Sequence, residues 1–303
     1  MAAGPFGRPS GYRCSFQLWR ARLSRHDPGV KSPLRRSLPP ASVLAAYGLH
    51  GAPIPLPGGQ GTAWRVDHAV VKPLDVEPAL VQWQAALLAR LRGRTDFRVS
   101  VPLQTTDGRL TAEGWTAWRY EPGAHVPRRW HDIIAVGERL HAALEPEPQP
   151  AFLRGQSDPW ATADRVAGGE LPPVDYAGTK HLGRLTAELT AVDLSPQLVH
   201  GDLTGNVLFH RDLPPLVIDL SPYWRPPLYA AAIVIADALV FEGAGEEVTE
   251  PLRSDPSFAQ CLLRALIFRA VTDHLTRQHR PVDFEDPYRR AVEIALRLAS
   301  RSS

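Results

Sequence analysis

The sequence predicts an α+β protein with two lobes, in which a small antiparallel sheet precedes a larger helical part. A glycine-rich turn is followed by strand-like segments before residue 122, and from residue 130 onward the apolar residues recur mainly at helical spacing. One β-hairpin interrupts the helical part, at residues 199–219, with a polar residue at each outer end. A chain of 303 residues exceeds the usual domain size of roughly 100 to 200 residues, so one large domain or two lobes with a cleft between them are both natural.

The composition divides the chain into three parts. Residues 1–40 contain eight Lys and Arg against a single acid and are rich in Pro, Gly and Ser, so we expect an Arg/Pro-rich disordered tail. We assign residues 41–122 to an N-lobe and residues 123–303 to a C-lobe. The two lobes carry a slight excess of acids, which argues against a nucleic-acid-binding core. A nucleic-acid binder that acts through the basic tail is an alternative.

Cysteine usage and hydropathy indicate the compartment. Cys14 and Cys261 fit no metal-ligand spacing, and residues 1–40 lack the apolar run of a secretory signal. The longest apolar run, at residues 228–241, is shorter than the roughly 18 residues of a membrane span and contains Asp237. We therefore expect a reduced cytoplasmic protein without a membrane segment.

The N-lobe contains a turn and a strand that suit a polyphosphate. Gly58, Gly59 and Gly61 precede a strand, and glycine allows the backbone N–H groups to approach phosphate closely. The next strand, at residues 69–72, ends in Lys72, one of only three lysines among 34 basic residues. The compact ammonium of lysine acts as a point charge, and the planar guanidinium of arginine does not act in this way. The alternative is an ordinary turn followed by a surface lysine.

A helix and two strands complete the predicted N-lobe. Residues 77–92 show one apolar face with Pro78 in the first turn, which predicts a helix. Strands are predicted at residues 98–104 and 115–120, and the Glu-Pro-Gly at residues 121–123 ends the pattern.

The C-lobe is predicted to be mostly helical. Helical spacing of apolar residues is found at residues 130–144, 176–192, 228–241, 258–278 and 288–298. His131 and His141 in the first of these helices are expected to be solvated. Asp237 lies in a helix that is apolar nearly all round and must find partners if buried.

The hairpin carries the residues that point to chemistry. Its apolar runs at residues 207–209 and 216–218 predict two strands, with Asp202, Asn206 and Asp219 meeting at one mouth. One carboxylate can take a proton, and a second carboxylate with an amide can hold a hard cation through oxygen. Phosphoryl transfer needs this set from a protein, because its catalysis is mostly positioning and charge neutralisation.

The same residues resemble a known family. His200-Gly201-Asp202, then Asn206, then an apolar strand that ends in Asp219, is similar to the catalytic and metal-binding loops of the aminoglycoside phosphotransferase family in the protein-kinase-like superfamily. The resemblance implies a two-lobed kinase-like fold and transfer of the γ-phosphate of ATP, or alternatively GTP, to a hydroxyl of a small molecule. It implies that Asp202 is the catalytic base and that Asn206 and Asp219 hold Mg²⁺.

The resemblance also implies a nucleotide site between the lobes. Gly58, Gly59, Gly61 and Lys72 would contact the phosphates, with the glycines acting through their backbone. The main-chain atoms of Arg119 and Glu121, at the hinge between the lobes, would bind the adenine edge.

Two departures from the family pattern keep a second reading open. Three residues separate Asp202 from Asn206 where the family has four, and Gly205 is best able to adapt the shorter backbone. The helix at residues 77–92 offers Glu77 at its start, or a glutamine in its middle, where the family has an acid that pairs with the lysine. The alternative is a degenerate kinase-like protein that binds nucleotide or a protein partner without catalysis.

The acceptor is not identified by these motifs. A run of acids at residues 242–255 could attract a cationic acceptor, or could be a solvated loop. By resemblance Asp237 would bond to the catalytic-loop backbone; the alternative is a surface-facing side chain.

Overall fold

The computed structural model describes residues 37–57, 61–276 and 286–302, and the predicted two-lobed α+β architecture is confirmed. The described α-helices are α1 (Ala41–Ala46), α2 (Pro78–Arg90), α3 (Trp130–Leu144), α4 (Pro159–Ala167), α5 (Leu182–Ala187), α6 (Pro227–Phe241), α7 (Phe258–Thr276) and α8 (Arg289–Ser302). The described strands are β1 (Ile54–Pro55), β2 (Trp64–Val66), β3 (Ala69–Pro73), β4 (Arg98–Val99), β5 (Thr111–Ala112), β6 (Trp115–Arg119), β7 (Gln197–His200), β8 (Val207–Leu208), β9 (Leu216–Val217) and β10 (Pro222–Arg225).

The N-lobe is a five-stranded antiparallel sheet in the order β1-β2-β3-β6-β5. Trp64, Val71 and Ala117 are direct partners on adjacent strands, and all three are buried. Val43 of α1 packs into the same apolar cluster. Because side chains alternate across a strand, this inward row is one face of the sheet.

The C-lobe is built around α6. Every residue of α6 from Tyr229 to Val240 is buried, because the helix is apolar nearly all round. Helices α3 and α7 pack against α6, and α7 also contacts α4, α5 and α8. No helix in the described part of the chain is both long enough and apolar enough to span a bilayer.

A three-stranded sheet connects the N-lobe side of the chain to the hairpin, and a separate two-stranded sheet pairs β7 with β10. Strand β4 runs parallel to β9, which pairs with β8, so a strand that follows α2 joins the C-lobe hairpin. Ala124 and Phe209 exchange backbone hydrogen bonds of 2.9 and 2.8 Å. The proposed boundary at residues 122–123 falls in this connection, between β6 and α3.

Some of the sequence predictions were wrong. The helix predicted at residues 176–192 is reduced to α5, preceded by a 3₁₀ turn at Pro173–Tyr176. His181 has a φ of 63°, which breaks a helix before Leu182. His141, predicted to be solvated, is 2 % exposed, and the alternative of a surface-facing Asp237 is excluded by full burial. The strand predicted at residues 98–104 is limited to β4.

Candidate active site

The β8–β9 hairpin brings Asn206 and Asp219 to one end. Val207 lies opposite Val217, and the Ile218 N–H donates to the Asn206 carbonyl over 3.0 Å. The residues just before β8 and just after β9 therefore share an edge. Asp219 has a φ of 49°, a left-handed conformation that is uncommon for any residue but glycine and that the surrounding structure must maintain.

The shortened loop places Asn206 directly on Asp202. The Asn206 Nδ2 donates to the Asp202 carbonyl over 2.7 Å and to the Asp202 Oδ2 over 3.1 Å. Gly205 has a φ of 83°, the left-handed conformation that lets a three-residue connection close. The loop is therefore compact, with the asparagine amide turned towards the carboxylate.

His200 links this loop to the strand end that carries Asp219. Its Nδ1 accepts the N–H of Asp202 over 3.2 Å and the N–H of Ser221 over 3.3 Å. Because Nδ1 faces two N–H donors, Nε2 carries the ring proton, and it donates to the Ile218 carbonyl over 3.3 Å. The fully buried imidazole thus ties both sides of the site together.

His141 of α3 fixes the start of the loop. Its Nε2 accepts a hydrogen bond from the backbone N–H of His200, the last residue of β7. Burial lowers the pKa of His141 to about 3, with a smaller contribution from His200. The ring is therefore neutral at physiological pH, as an acceptor must be. Sequence reasoning missed this role, since a histidine in an amphipathic helix gives no sign of its partner.

Lys72 and Asp219 meet across the two lobes. The Lys72 Nζ contacts the Asp219 Oδ1 at 2.5 Å, between β3 and the end of the hairpin. Gln84 of α2, in the middle of that helix, donates from Nε2 over 2.7 Å to the carbonyl of Leu220. The helix therefore holds the backbone next to Asp219, and Asp219 itself is an anionic partner of the lysine.

A buried arginine on α7 contacts Asp202. Arg269 forms two hydrogen bonds of 2.7 Å to the carboxylate of Asp237 and one of 3.3 Å from Nη2 to the Asp202 Oδ1. Arg269 and Asp237 are 1 % and 0 % exposed. Sequence reasoning did not find Arg269, although an arginine among the apolar residues of α7 and the single acid of apolar α6 are a usable signal for pairing.

The other predicted site residues are placed less fully. Gly61 has a φ of 72° and open space where a Cβ would stand, whereas Gly58 and Gly59 lie outside the described residues. The Arg119 N–H already donates to the Val101 carbonyl over 2.8 Å. Glu121 accepts from Arg98 over 3.2 Å. Adenine recognition through the hinge therefore stays a prediction, with the Arg119 N–H committed to the protein.

Asp219 and Asn206 suit Mg²⁺ that is also bound by substrate phosphates better than they suit a metal whose ligands all come from the protein. Within residues 37–57, 61–276 and 286–302, no group of three or more His, Cys, Asp or Glu could hold a metal. Mg²⁺ commonly takes one or two protein ligands together with substrate phosphates and water. The half-exposed Asp219 carboxylate suits this pattern, and Asn206 would contribute its amide oxygen Oδ1, because hard cations take oxygen ligands.

Solved structures share this fold. An amicoumacin kinase in complex with AMP-PNP, Ca²⁺ and Ami aligns with a TM-score of 0.56 and 13% identity over 86% of this chain and 92% of its own. An aminoglycoside phosphotransferase from Alicyclobacillus acidocaldarius gives 0.55 and 15% over 90% and 98%. Choline kinase LicA from Streptococcus pneumoniae gives 0.51 and 12% over 82% and 93%. These identities establish the fold alone.

The family follows from the sequence itself. No curated protein matches the chain. The family model described as "Phosphotransferase enzyme family" matches residues 55–254, which include both Lys72 and the entire hairpin. The match spans more than half of the chain and confirms the predicted aminoglycoside-phosphotransferase-like relationship. The chain belongs to the phosphotransferase enzyme family.

Proposed function

We propose that the protein transfers the γ-phosphate of ATP to a hydroxyl of a small molecule, with Asp202 as the base. The observation that carries this proposal is the contact between Lys72 and Asp219, one from each lobe, beside a loop in which Asn206 touches Asp202. Four groups of suitable chemistry thus lie on adjoining elements. The same family match and the AMP-PNP complex of the amicoumacin kinase support a nucleotide ligand.

Lys72 and Asp219 would share the nucleotide phosphates. The ammonium is a compact positive charge, and in the present arrangement Asp219 neutralises it. A triphosphate would compete for the lysine and release the carboxylate for a cation. Mg²⁺ bound there would neutralise developing charge on the transferred phosphoryl group. Asp219 and the Oδ1 of Asn206 are the residues that would hold it.

Asp202 would orient the acceptor hydroxyl and accept its proton. The carboxylate is 4 % exposed and is held from two sides, by Asn206 at Oδ2 and by Arg269 at Oδ1. Phosphoryl transfer passes through a loose transition state, so orientation of the hydroxyl matters more than a strongly basic carboxylate. A positioned base contributes roughly 10²- to 10⁴-fold in rate.

The acidic run at residues 242–255 is only partly offset by arginines. It contains five acids and one arginine, Arg253. Glu246 is paired with both Arg253 and Arg297, and Glu250 is paired with Arg253. Glu242 accepts from the indole of Trp130 over 2.6 Å, and this donor carries no compensating charge. The run therefore keeps an excess of negative charge, which is compatible with a cationic acceptor.

The test measures ADP or GDP release from ATP or GTP with Mg²⁺, against a panel of hydroxylated amines, sugars and hydroxyl amino acids. We expect Asp202→Asn to lower turnover by roughly 10²- to 10⁴-fold, while nucleotide still raises the melting temperature. Asp212→Asn, an exposed acid in the same hairpin, is the matched control. Undiminished turnover by Asp202→Asn would remove Asp202 from the mechanism.

A second candidate is a degenerate kinase that binds nucleotide without chemistry. The burial of Asp202 and the engagement of both its carboxylate oxygens favour it, since an acceptor hydroxyl must reach one of them. Thermal stabilisation by ATP and Mg²⁺, together with no phosphorylation of any acceptor of the panel and no ATP hydrolysis, would support this candidate.

A further inference from the structure

Arg269 is held in place from three directions. Its guanidinium makes a two-pronged contact with the Asp237 carboxylate, through Nε and Nη2 at 2.7 Å each. The Tyr288 hydroxyl of the segment before α8 donates to the Arg269 backbone carbonyl over 3.1 Å. The Cζ of Arg269 also lies 5.0 Å from the centre of the Phe268 ring. A planar guanidinium fixed by a carboxylate fork has little freedom to turn.

We propose that Arg269 is a positioning residue for phosphoryl transfer, in which Nη2 holds the Asp202 carboxylate in its productive orientation. The contact is the 3.3 Å hydrogen bond from Nη2 to Oδ1. Asn206 binds the other oxygen, so the two contacts together fix the plane of the carboxylate. This inference rests on the proposed function of Asp202 as the base.

The arrangement assigns separate tasks to the two acids. Asp237 is fully buried on α6 and accepts the two short hydrogen bonds, so it anchors the guanidinium. Asp202 is the more weakly bound acid and lies in the loop that carries the chemistry. One arginine charge therefore serves two carboxylates, and the excess negative charge at Asp202 is available to an acceptor hydroxyl.

Packing also connects α7 to the catalytic loop. The Phe268 ring meets the Tyr223 ring edge to face at 5.9 Å, and Tyr223 lies against the backbone of Gly201. Gly201, which precedes Asp202, is thus connected through Tyr223 to Phe268, and Phe268 is next to Arg269 in sequence. A shift of α7 would move both the loop backbone and the carboxylate of Asp202.

The variants must separate the positioning of Asp202 from a purely structural role of Arg269. Removing one partner of a buried ion pair leaves an uncompensated charge, so single substitutions to neutral residues are poor tests. The variant Asp237→Leu/Arg269→Met removes both charges and replaces them by apolar side chains, a change that buried pairs often tolerate. Asp237→Leu/Arg269→Lys retains one cation for Asp202. Arg264→Met, on the same helix and bonded to Gln260 and Thr190, is the control.

The experiment measures kcat, and KM for ATP, with Mg²⁺ and the best acceptor of the panel. If no acceptor of the panel is phosphorylated, the same constants are measured for ATP hydrolysis. We expect kcat of Asp237→Leu/Arg269→Met to fall by about 10- to 100-fold with KM for ATP nearly unchanged, since misplacement of a reacting group affects the chemical step. The lysine-containing double variant should recover part of this loss. Equal kcat in both double variants and the wild type would overturn the proposal.

Two further measurements cover a folding failure and a failure of the proposed function. Arg269→Lys alone keeps the buried charge but not the fork, and it should lower kcat several-fold with an unchanged KM for ATP. A crystal structure of the apolar double variant should show the Asp202 carboxylate turned away from the Asn206 Nδ2. If that contact is retained, Arg269 does not position Asp202. This readout is independent of turnover, so it separates the role of Arg269 from the role of Asp202 as base.

Discussion

The Nε2 of His141 accepts the backbone N–H of His200 over 3.1 Å, and this bond joins α3 to the strand that precedes the loop at residues 201–206. The bond exists only while the imidazole is neutral. Burial keeps it so, because the pKa of His141 is lowered from 6.5 to about 3. The position of the loop is thereby linked to pH.

The first prediction concerns stability in acid. The folded pKa of His141 lies below the unfolded one, so protons bind preferentially to the unfolded chain between these values. The contribution is fully present above pH 6.5 and is lost as pH falls towards 3. This one group should lower the free energy of unfolding by on the order of 1 kcal/mol per pH unit in that window, measured by urea unfolding.

Two substitutions test the assignment to His141. His141→Gln retains an acceptor near the position of Nε2 but does not titrate, so its unfolding free energy should fall less steeply with acid. His274→Gln changes an exposed histidine on α7 and should keep the wild-type slope. The same slope in all three proteins would contradict the prediction.

The second prediction separates function from stability at Lys72. The Lys72–Asp219 pair is partly exposed, with side chains 20% and 45% accessible, so it should contribute only about 0 to 1 kcal/mol to stability. Lys72→Met should leave the melting temperature nearly unchanged and lower kcat by roughly 10²-fold or more, because the phosphates lose a preorganised charge. Lys180→Met, an exposed lysine, is the matched control. A comparable loss in the control would refute a specific role.

The third prediction concerns Gln84. Its buried amide donates to the carbonyl of Leu220, next to Asp219. Gln84→Leu leaves that carbonyl without this donor and should destabilise the protein by about 1 to 3 kcal/mol in urea unfolding. Turnover should fall as well, since the backbone beside Asp219 loses a restraint. Gln82→Leu, on the exposed side of α2, should change neither quantity appreciably.

Long periodic segments were predictable from the sequence. Helix α3 has the predicted bounds, and α6 extends the predicted one by a single residue at its start. In both, apolar residues recur over four turns, so the local pattern and the buried face agree. The hairpin was also predictable, because β-branched and apolar residues flank a turn rich in Asp and Pro.

The failures depend on contacts between distant parts of the chain. Leu182, Leu185 and Leu189 have helical spacing, but α5 ends at Ala187, and Leu189 is only partly buried outside the helix. The contact of Arg269 with Asp202 joins residues from α7 and the loop after β7. Such a contact follows from the packing of α7 on α6, which no local pattern encodes.

The fourth prediction tests the packing behind the loop that carries Asp202. A Cβ on Gly201 would come within 2.3 Å of the Tyr223 ring, and this ring is held between the loop and Phe268. Gly201→Ala should therefore destabilise the protein by about 1 to 3 kcal/mol, as overpacking does, and should lower turnover by displacing Asp202. Gly183→Ala, in α5 with open space at its Cβ, should be neutral or stabilising.

A compensating change identifies the cause of that loss. Leucine at position 223 is smaller than tyrosine, so Tyr223→Leu should open the space that a Cβ on Gly201 needs. The double variant Gly201→Ala/Tyr223→Leu should then be more stable than the sum of the single effects, with a coupling energy of about 0.5 to 3 kcal/mol in a double-mutant cycle. Strict additivity would show that the ring does not restrict residue 201, and the loss in Gly201→Ala would need a different origin in the loop.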